Sequence, residues 1–291
     1  MAQTFLDKLV SGAQAIRYSV TEPLLLKLAR RRNERHFTNA GDEPLISVYI
    51  PTYNRAALLM ERSVPSVLAQ TYDRFELVVV GDHTTDETEN LVTKIADPRV
   101  QFHNIGRRGY RYPPTAENHW LAGPVVAANT ALGMLKGKWI ARIDDDDLWT
   151  PDHLESLLHF AQQTNMEFVS SLYEEERHQK VAVVDGDVAD GPYLNRGAIS
   201  PGTGPKIGGT QTWLYRQYLR LFRYNIHCWR KNWNRVNDID LQVRMYKAGV
   251  RMGFLEKLLA RVIPRPGEET VGLEAYISQA EKKEEHFKFS L

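Results

Sequence analysis

The chain of 291 residues has a single cysteine, Cys228. No intrachain disulfide can form, and a thiolate zinc site would need more sulfur ligands. A reducing, cytosolic setting is expected, with Cys228 as a small, partly buried structural residue rather than a nucleophile. Charge of one sign is also lacking, because 37 Lys+Arg face 36 Asp+Glu for a net charge of +1. Nothing global therefore points to nucleic acid, and any electrostatic function must be local. No apolar run approaches the roughly 20 residues that cross a bilayer. The first residues lack the basic start, continuous apolar stretch and small-residue cleavage site of a signal peptide. There is no internal repeat and no low-complexity tract. What remains is 43% hydrophobic and 25% charged, the balance of a globular protein long enough for one large α/β domain with appended ends.

Residues 1–43 read as an N-terminal helical extension. Phe5, Leu6, Leu9, Val10, Ala13 and Ile16 recur at helical spacing, and Leu24 to Leu28 runs into Arg30, Arg31 and Arg32. Such a segment can lie on anionic lipid. It can equally pack on the main domain or on a second subunit, so an oligomer is compatible. Asn39 to Pro44 is a polar, turn-forming boundary.

After it the pattern becomes strand–helix alternation. Leu45–Ile50, Phe75–Val80, Val100–His103 and Lys138–Ile143 read as strands; Ala56–Gln70, Thr84–Ile95, Val125–Leu135 and Pro151–Thr164 read as helices. This alternation implies a mostly parallel sheet flanked by helices. Residues 104–124 read as a long loop, carrying a basic run from Arg107 to Arg111 that could meet an anionic group or be solvated. The second half is less regular. Phe168–Tyr173 is a strand, 185–210 a loop, Trp213–Tyr224 a helix or a strand then a helix, and Asp238–Ala248 a helix closed by Gly249. From Pro266 the chain is polar and reads as a loosely attached tail, 266–291.

In open α/β sheets ligands bind beyond the carboxyl ends of the strands. Three polar clusters stand there: Thr52-Tyr53-Asn54-Arg55, Asp82, and Asp144-Asp145-Asp146-Asp147. They should converge on one crevice. Four consecutive carboxylates need full solvation or a cation. A solvated acidic loop is the plain alternative, but the run follows an apolar strand without a spacer and Leu148-Trp149-Thr150-Pro151 follows at once. Hard oxygen ligands suit Mg²⁺ or Mn²⁺, which can neutralise a diphosphate leaving group.

The segment Trp139 to Leu154, with its Asp-Asp-Asp-Asp, resembles the Asp-x-Asp region of glycosyltransferase family 2, the inverting family with the GT-A fold. Ile50-Pro51-Thr52-Tyr53-Asn54-Arg55, Val80-Gly81-Asp82-His83-Thr84-Thr85-Asp86 and Ala127-Ala128-Asn129-Thr130-Ala131 are similar to three further family segments in order and spacing. The likeness covers residues 45–165. It implies a GT-A (Rossmann-like) domain over 44–265, with a nucleotide-binding half at 44–147 and an acceptor half at 148–265. It also implies transfer of a sugar from a nucleotide diphosphate donor, UDP most commonly, to a glycan, lipid-linked or other hydroxyl acceptor.

By position in the family, Pro51, Thr52, Tyr53 and Arg55 line the nucleotide and Asp82 accepts a hydrogen bond from the base. Asp144 or Asp145 meets the ribose or donor sugar, and Asp146 touches the Mn²⁺ or Mg²⁺. Asp147 is expected to be solvated. Asn237-Asp238-Ile239-Asp240-Leu241 fits the family's stretch around the catalytic base and nominates Asp238, although Asn237 or Asp238 would also serve as a helix N-cap. Three residues depart from the pattern: Gly81, Ala128 and Asn237, the last replacing a Glu. The basic and aromatic stretch from Trp213 to Arg235 is expected to wall the acceptor site, with ordinary packing as the alternative. Without a processive motif or a membrane helix, a single-addition enzyme is expected, in the cytoplasm or peripheral at the inner face of the membrane. Two other readings remain: a non-catalytic nucleotide-sugar-binding relative, and a sugar-phosphate nucleotidyltransferase. The latter would need a Gly-rich triphosphate loop after the first strand, which Pro51 to Arg55 is not.

Overall fold

The structure, a computed structural model, describes residues 4–37, 42–107, 109, 111–188, 204–232 and 235–278. Its centre is a mixed sheet built, among the described residues, from nine strands: β1 (Ile46–Thr52), β2 (Phe75–Gly81), β3 (Val100–Asn104), β4 (Trp139–Arg142), β5 (Leu148–Trp149), β6 (Phe168–Arg177), β7 (Lys180–Val184), β10 (Leu214–Arg216) and β11 (Met252–Val262). Two short strands, β8 (Asp187–Val188) and β9 (Lys206–Ile207), pair separately. The order is β3-β2-β1-β4-β10-β6-β11-β5, with β7 paired to β6. The first four strands are parallel. β10 runs antiparallel between β4 and β6, and β11 is parallel to β6.

Every residue of β1 and β2 is buried, because helices cover both faces of the sheet. The period-two alternation splits their side chains between two cores. Tyr49, Val78 and Val80 face Val125–Met134, while Ile46, Val48, Ile50, Leu77 and Val79 face the helical segment 56–68 and His153–Thr164. Close approach also selects a glycine. A Cβ on Gly137 would stand 2.6 Å from the Ser47 amide nitrogen, and the Gly137 N–H donates to Ser47 Oγ at 2.8 Å.

Several elements differ from their sequence reading. The stretch 104–124 contains a helix, Ala116–Ala122, capped by Thr115. The expected Thr84–Ile95 helix shrinks to Thr88–Thr93, because Asp86 turns back to accept from Ala56 N and the Thr88 hydroxyl. The 56–68 segment carries a π-turn at Leu59–Ser63. The presumed tail is ordered through a helix, Gly272–Ser278, and beyond it lies outside the described residues, as do most of 185–210, Arg108, Tyr110 and Trp233.

The N-terminal extension is one helix, α1 (Phe5–Asn33), opened by a Thr4/Asp7 capping box. One side of it rests on the domain. Leu26 is fully buried there, a contribution of about 2 kcal/mol. The rest of that side is ionic: Asp7 pairs with Arg230, Glu22 with Arg244, and Arg30 with Glu167. The Trp213–Arg235 stretch belongs here, not to an acceptor wall. Trp213, Tyr215, Tyr218, Phe222 and Tyr224 are core residues. Arg216 pairs with Glu34, and Arg235 with Glu117. No described residue of this stretch lines the cavity described next. Cys228 is buried, and burial pushes its thiol up to about 12, which excludes it as a nucleophile at neutral pH.

Candidate active site

The strand-end clusters do converge. Pro51, Thr52, Tyr53, Arg55, Asp82, Asp144, Asp145, Asp146 and Asp238 all line one cavity of about 350 Å³ at the carboxyl ends of β1, β2 and β4. The turn after β1 needs a left-handed residue, and Asn54 (φ 50°) supplies it while its Oδ1 accepts from Thr85 N at 2.8 Å. Thr52 Oγ1 then donates to Asp145 Oδ2 at 2.8 Å, and Arg55 Nη1 reaches Asp145 at 2.7 Å and Asp146 at 3.0 Å. Asp82, at the end of β2, accepts from Arg111 Nη1 at 2.7 Å. The basic loop thus sends one arginine to the Asp82 end of the cavity.

The acidic turn is held from outside by the π-turn. Arg62 Nη1 donates to the Asp146 carbonyl at 3.1 Å, and Ser63 Oγ to the Asp144 and Asp147 carbonyls at 2.7 and 3.1 Å. With the backbone fixed, the four side chains alternate. Asp145 and Asp147 are buried; the Asp144 and Asp146 side chains keep 38% and 21% of their surface. Asp147 is therefore not the solvated member. Burial, and then the like charges of Asp146, Asp144 and Asp145, push its carboxyl well above the usual range. Burial likewise raises Asp144 against the pull of Arg142, whose Nη2 lies 2.9 Å away, and Asp146 and Asp238 add to the rise.

Among the described residues no three His, Cys, Asp or Glu side chains form a complete metal cage. Mn²⁺ and Mg²⁺ seldom need one, because one or two carboxylates suffice where phosphate oxygens and water complete the shell. Asp144 and Asp146 are two such carboxylates open to the cavity, in a turn of four consecutive aspartates. The donor set fits a hard divalent cation.

Asp238 lines the same cavity from the first turn of Asn237–Lys247. The N-cap position there is Val236, with no side-chain cap bond, and the Asp238 carboxylate serves a first-turn amide with one oxygen only. Thr210 Oγ1 donates to Asp238 Oδ2, and Ile239 N donates to Oδ1 at 2.8 Å. Asn237 is buried, with Nδ2 on the Leu121 carbonyl at 3.0 Å. Gly81 has a steric reason, since a Cβ would lie 2.8 Å from Asn104 Oδ1 and Thr84 Oγ1. Ala128 is sealed in the core.

The sequence reading missed one wall entirely. Tyr276, from Gly272–Ser278, accepts from Arg55 Nη2 and lies under the Arg265 guanidinium at 4.6 Å. His119 sits between the Tyr53 and Tyr276 rings at 6.2 and 6.0 Å. Arg265 also approaches Asp146, at 3.7 Å. The polar composition around Arg265-Pro266-Gly267 signals only a turn; what closes the site is the later return of an aromatic residue, which no local pattern encodes.

Comparison with known proteins is consistent with this geometry. The family model described as glycosyl transferase family 2 matches residues 47–177. The putative colanic acid biosynthesis glycosyl transferase WcaA of Escherichia coli K12 is 35% identical over 124 residues, 42% of this chain and 39% of that one. The UDP-Glc:alpha-D-GlcNAc-diphosphoundecaprenol beta-1,3-glucosyltransferase WfaP of Escherichia coli is 30% identical over 155 residues, 53% of this chain and 55% of that one. The chain thus spans about half the length of the curated relatives it matches. Two solved structures share the fold at 20% identity. Staphylococcus aureus TarS 1–349 in complex with UDP-GlcNAc has a TM-score of 0.54, covering 83% of this chain and 69% of that one. The mannosyltransferase PcManGT from Pyrobaculum calidifontis, in complex with GDP-Man and Mn²⁺, has a TM-score of 0.53, covering 88% and 69%. The α/β architecture, with its N-terminal helix, is that of the GT-A fold.

Proposed function

Residues 47–177 are a glycosyl transferase family 2 domain, and from that premise we propose that the chain is an inverting, metal-assisted glycosyltransferase. It takes a sugar from a nucleotide diphosphate donor, UDP first among them, to a hydroxyl of a glycan or lipid-linked acceptor. The observation that carries this is that Asp238 and the acidic turn line one cavity, with Asp238 near enough for its charge to act on Asp144. UDP and a diphosphate-lipid acceptor are favoured because the name of the WfaP relative specifies both. The nucleotide half is 44–147 and the acceptor half 148–265, with Arg265 and Tyr276 returning to close the site. Work on such an acceptor places the enzyme in the cytoplasm, at the inner face of the membrane.

In this reading Pro51, Thr52 and Tyr53 seat the nucleotide. Asp82 accepts from the base while retaining Arg111, since a carboxylate has lone pairs for both. Asp145, fixed by Thr52 and Arg55, and Asp144 meet the ribose and donor sugar. Asp146, with Asp144 beside it, would hold Mn²⁺ or Mg²⁺, which supplies charge neutralisation to the departing diphosphate. Arg55 and Arg265 add donors to the same oxygens. Asp238, its carboxylate oriented by Thr210 and Ile239 N, takes the proton from the acceptor hydroxyl. The acceptor oxygen bonds to the anomeric carbon from one face as the bond to the diphosphate breaks on the other, which inverts the centre.

Calorimetric titration with UDP tests the donor side. The parent should bind UDP at least about tenfold tighter with Mn²⁺ than with chelator, a difference of about 1.4 kcal/mol, and Asp146→Ala should abolish that difference. Equal affinity with and without metal in both proteins would sink the metal-assisted reading. GDP, titrated alongside, tests the choice of base.

A further inference from the structure

α1 is polarised in reverse. All three acidic residues of 4–37 are turned to the domain and paired: Asp7 with Arg230, Glu22 with Arg244, and Glu34 with Arg216 and Arg251. Apart from Leu26, the large apolar side chains point away. Phe5 is 77% exposed, Leu6 60%, Leu9 54%, Ile16 69%, Val20 66% and Leu24 58%. At roughly 100° per residue these six fall within an arc of about 100°. Arg17, Lys27 and Arg31, all exposed, share that side, Arg17 at the edge of the arc. Lys8, Arg32 and Arg35 are exposed nearby, so every exposed charge of 4–37 is positive.

An apolar stripe of this length is a contact surface. A second copy of the chain is a poor occupant, because its own 4–37 surface exposes positive charge alone and offers these cations no carboxylate partner. A surface that is apolar below and anionic above satisfies both features: acyl chains take the leucines, and headgroup phosphates take Arg17, Lys27 and Arg31. We propose that the outward face of α1 lies in the headgroup layer of an anionic bilayer. The contact stands independently of the transferase reading. Its use, to present the cavity to a lipid-linked acceptor, rests on that reading. The coupling is direct: Glu22 holds Arg244, Arg244 Nε holds Asp240 at 2.9 Å, and Asp240 is two residues from Asp238 on the same helix. Docking α1 therefore fixes how the Asp238 wall sits relative to the lipid surface.

Sedimentation with vesicles is the test, using the full chain without donor. Partition onto equal parts phosphatidylcholine and phosphatidylglycerol should exceed that onto phosphatidylcholine alone by about tenfold, and should fall with added salt. Leu9→Asp/Ile16→Asp/Val20→Asp should return partition to background with an unchanged Tm, because these side chains touch solvent in the free protein. Arg17→Gln/Lys27→Gln/Arg31→Gln should remove the preference for anionic lipid alone. Absence of vesicle binding, equal binding by the apolar-to-Asp variant, or a light-scattering dimer dissolved by Ile16→Asp would each overturn the proposal. None of these readouts depends on sugar transfer, so failure here and failure of the transferase reading are distinguishable.

Discussion

The cavity and the underside of α1 are both lined by arginines set against carboxylates. At the cavity, Arg55 bridges Asp145 and Asp146, Arg142 holds Asp144, and Arg111 holds Asp82. Under α1, Arg244 bridges Glu22 and Asp240, and Arg30 holds Glu167. The difference is access. Asp144 and Asp146 keep open surface toward a space of about 350 Å³, whereas Glu167 and Asp240 keep none. A pair open to a cavity can exchange one partner for a ligand; a sealed pair can only position the backbone that carries it. Within the sealed set, completeness of pairing decides the outcome. Burial opposes charge on Glu167, but Arg30, the Arg251 N–H and Tyr218 outweigh it and hold its carboxyl below the usual range. Burial dominates at Glu22 and raises it in spite of Arg244.

The sharpest way to separate the two sets is to remove charge from each. Asp238→Asn, on the cavity wall, should lower kcat by about a thousandfold, the scale of losing a general base, with UDP affinity and Tm unchanged. A loss of folding instead would move Asp238 into the structural set, and full activity would favour a nucleotide-sugar-binding relative. Arg244→Leu, under α1, should do the reverse. It strands the Glu22 carboxylate and leaves Asp240 with Lys231 alone, and should cost about 3 kcal/mol in urea unfolding, with the Glu22 share recovered by adding Glu22→Leu. Because Glu22 is already held at a burial cost, the paired apolar variant should be more stable than Arg244→Leu alone, the remaining deficit being the loss at Asp240. If Arg244→Leu raised the KM for donor while leaving stability intact, the division between the two networks would fail.

Most of the cavity half was legible because its information is local. Strand–turn–helix units place polar residues at strand ends by topology alone, so Thr52, Asp82 and the four aspartates could be put in one crevice without a contact map. What was not legible depends on returns from distant segments. Arg62 and Ser63 hold the acidic turn only because a π-turn rotates them toward it, and nothing in Leu59–Ser63 advertises that turn. Asp147 read as solvated because charge runs are usually exposed, yet a fixed two-sided turn must bury alternate members. The interleaved arginines and aromatics of 213–235 looked like a ligand wall, since the partners that claim Arg230 and Arg216, Asp7 and Glu34, lie about two hundred residues earlier. The gap at Gly81 looked like a functional departure and is explained by Asn104 and Thr84 at 2.8 Å.

A third kind of buried ionisable group, one with no ionic partner, sharpens the comparison through pH. His153 is fully buried, stacks on Trp149 at 4.0 Å, and donates from Nδ1 to the Leu259 carbonyl at 2.9 Å. Burial lowers it from 6.5 to about 3. The unfolded chain therefore takes up a proton as pH falls below 6.5, while the folded protein refuses one until about pH 3. Acid in that window favours unfolding. The loss should be about 2 kcal/mol between pH 7 and pH 5 from this residue alone. His153→Phe should keep the stack on Trp149 and abolish that part of the acid limb. Leu259 O would stay satisfied, because it also accepts from Thr150 N at 3.0 Å. Urea unfolding of both proteins across this range measures the difference directly. Parallel pH profiles would mean that His153 is protonated in the folded state, and that burial without a charge partner is weaker here than the cavity and α1 networks imply.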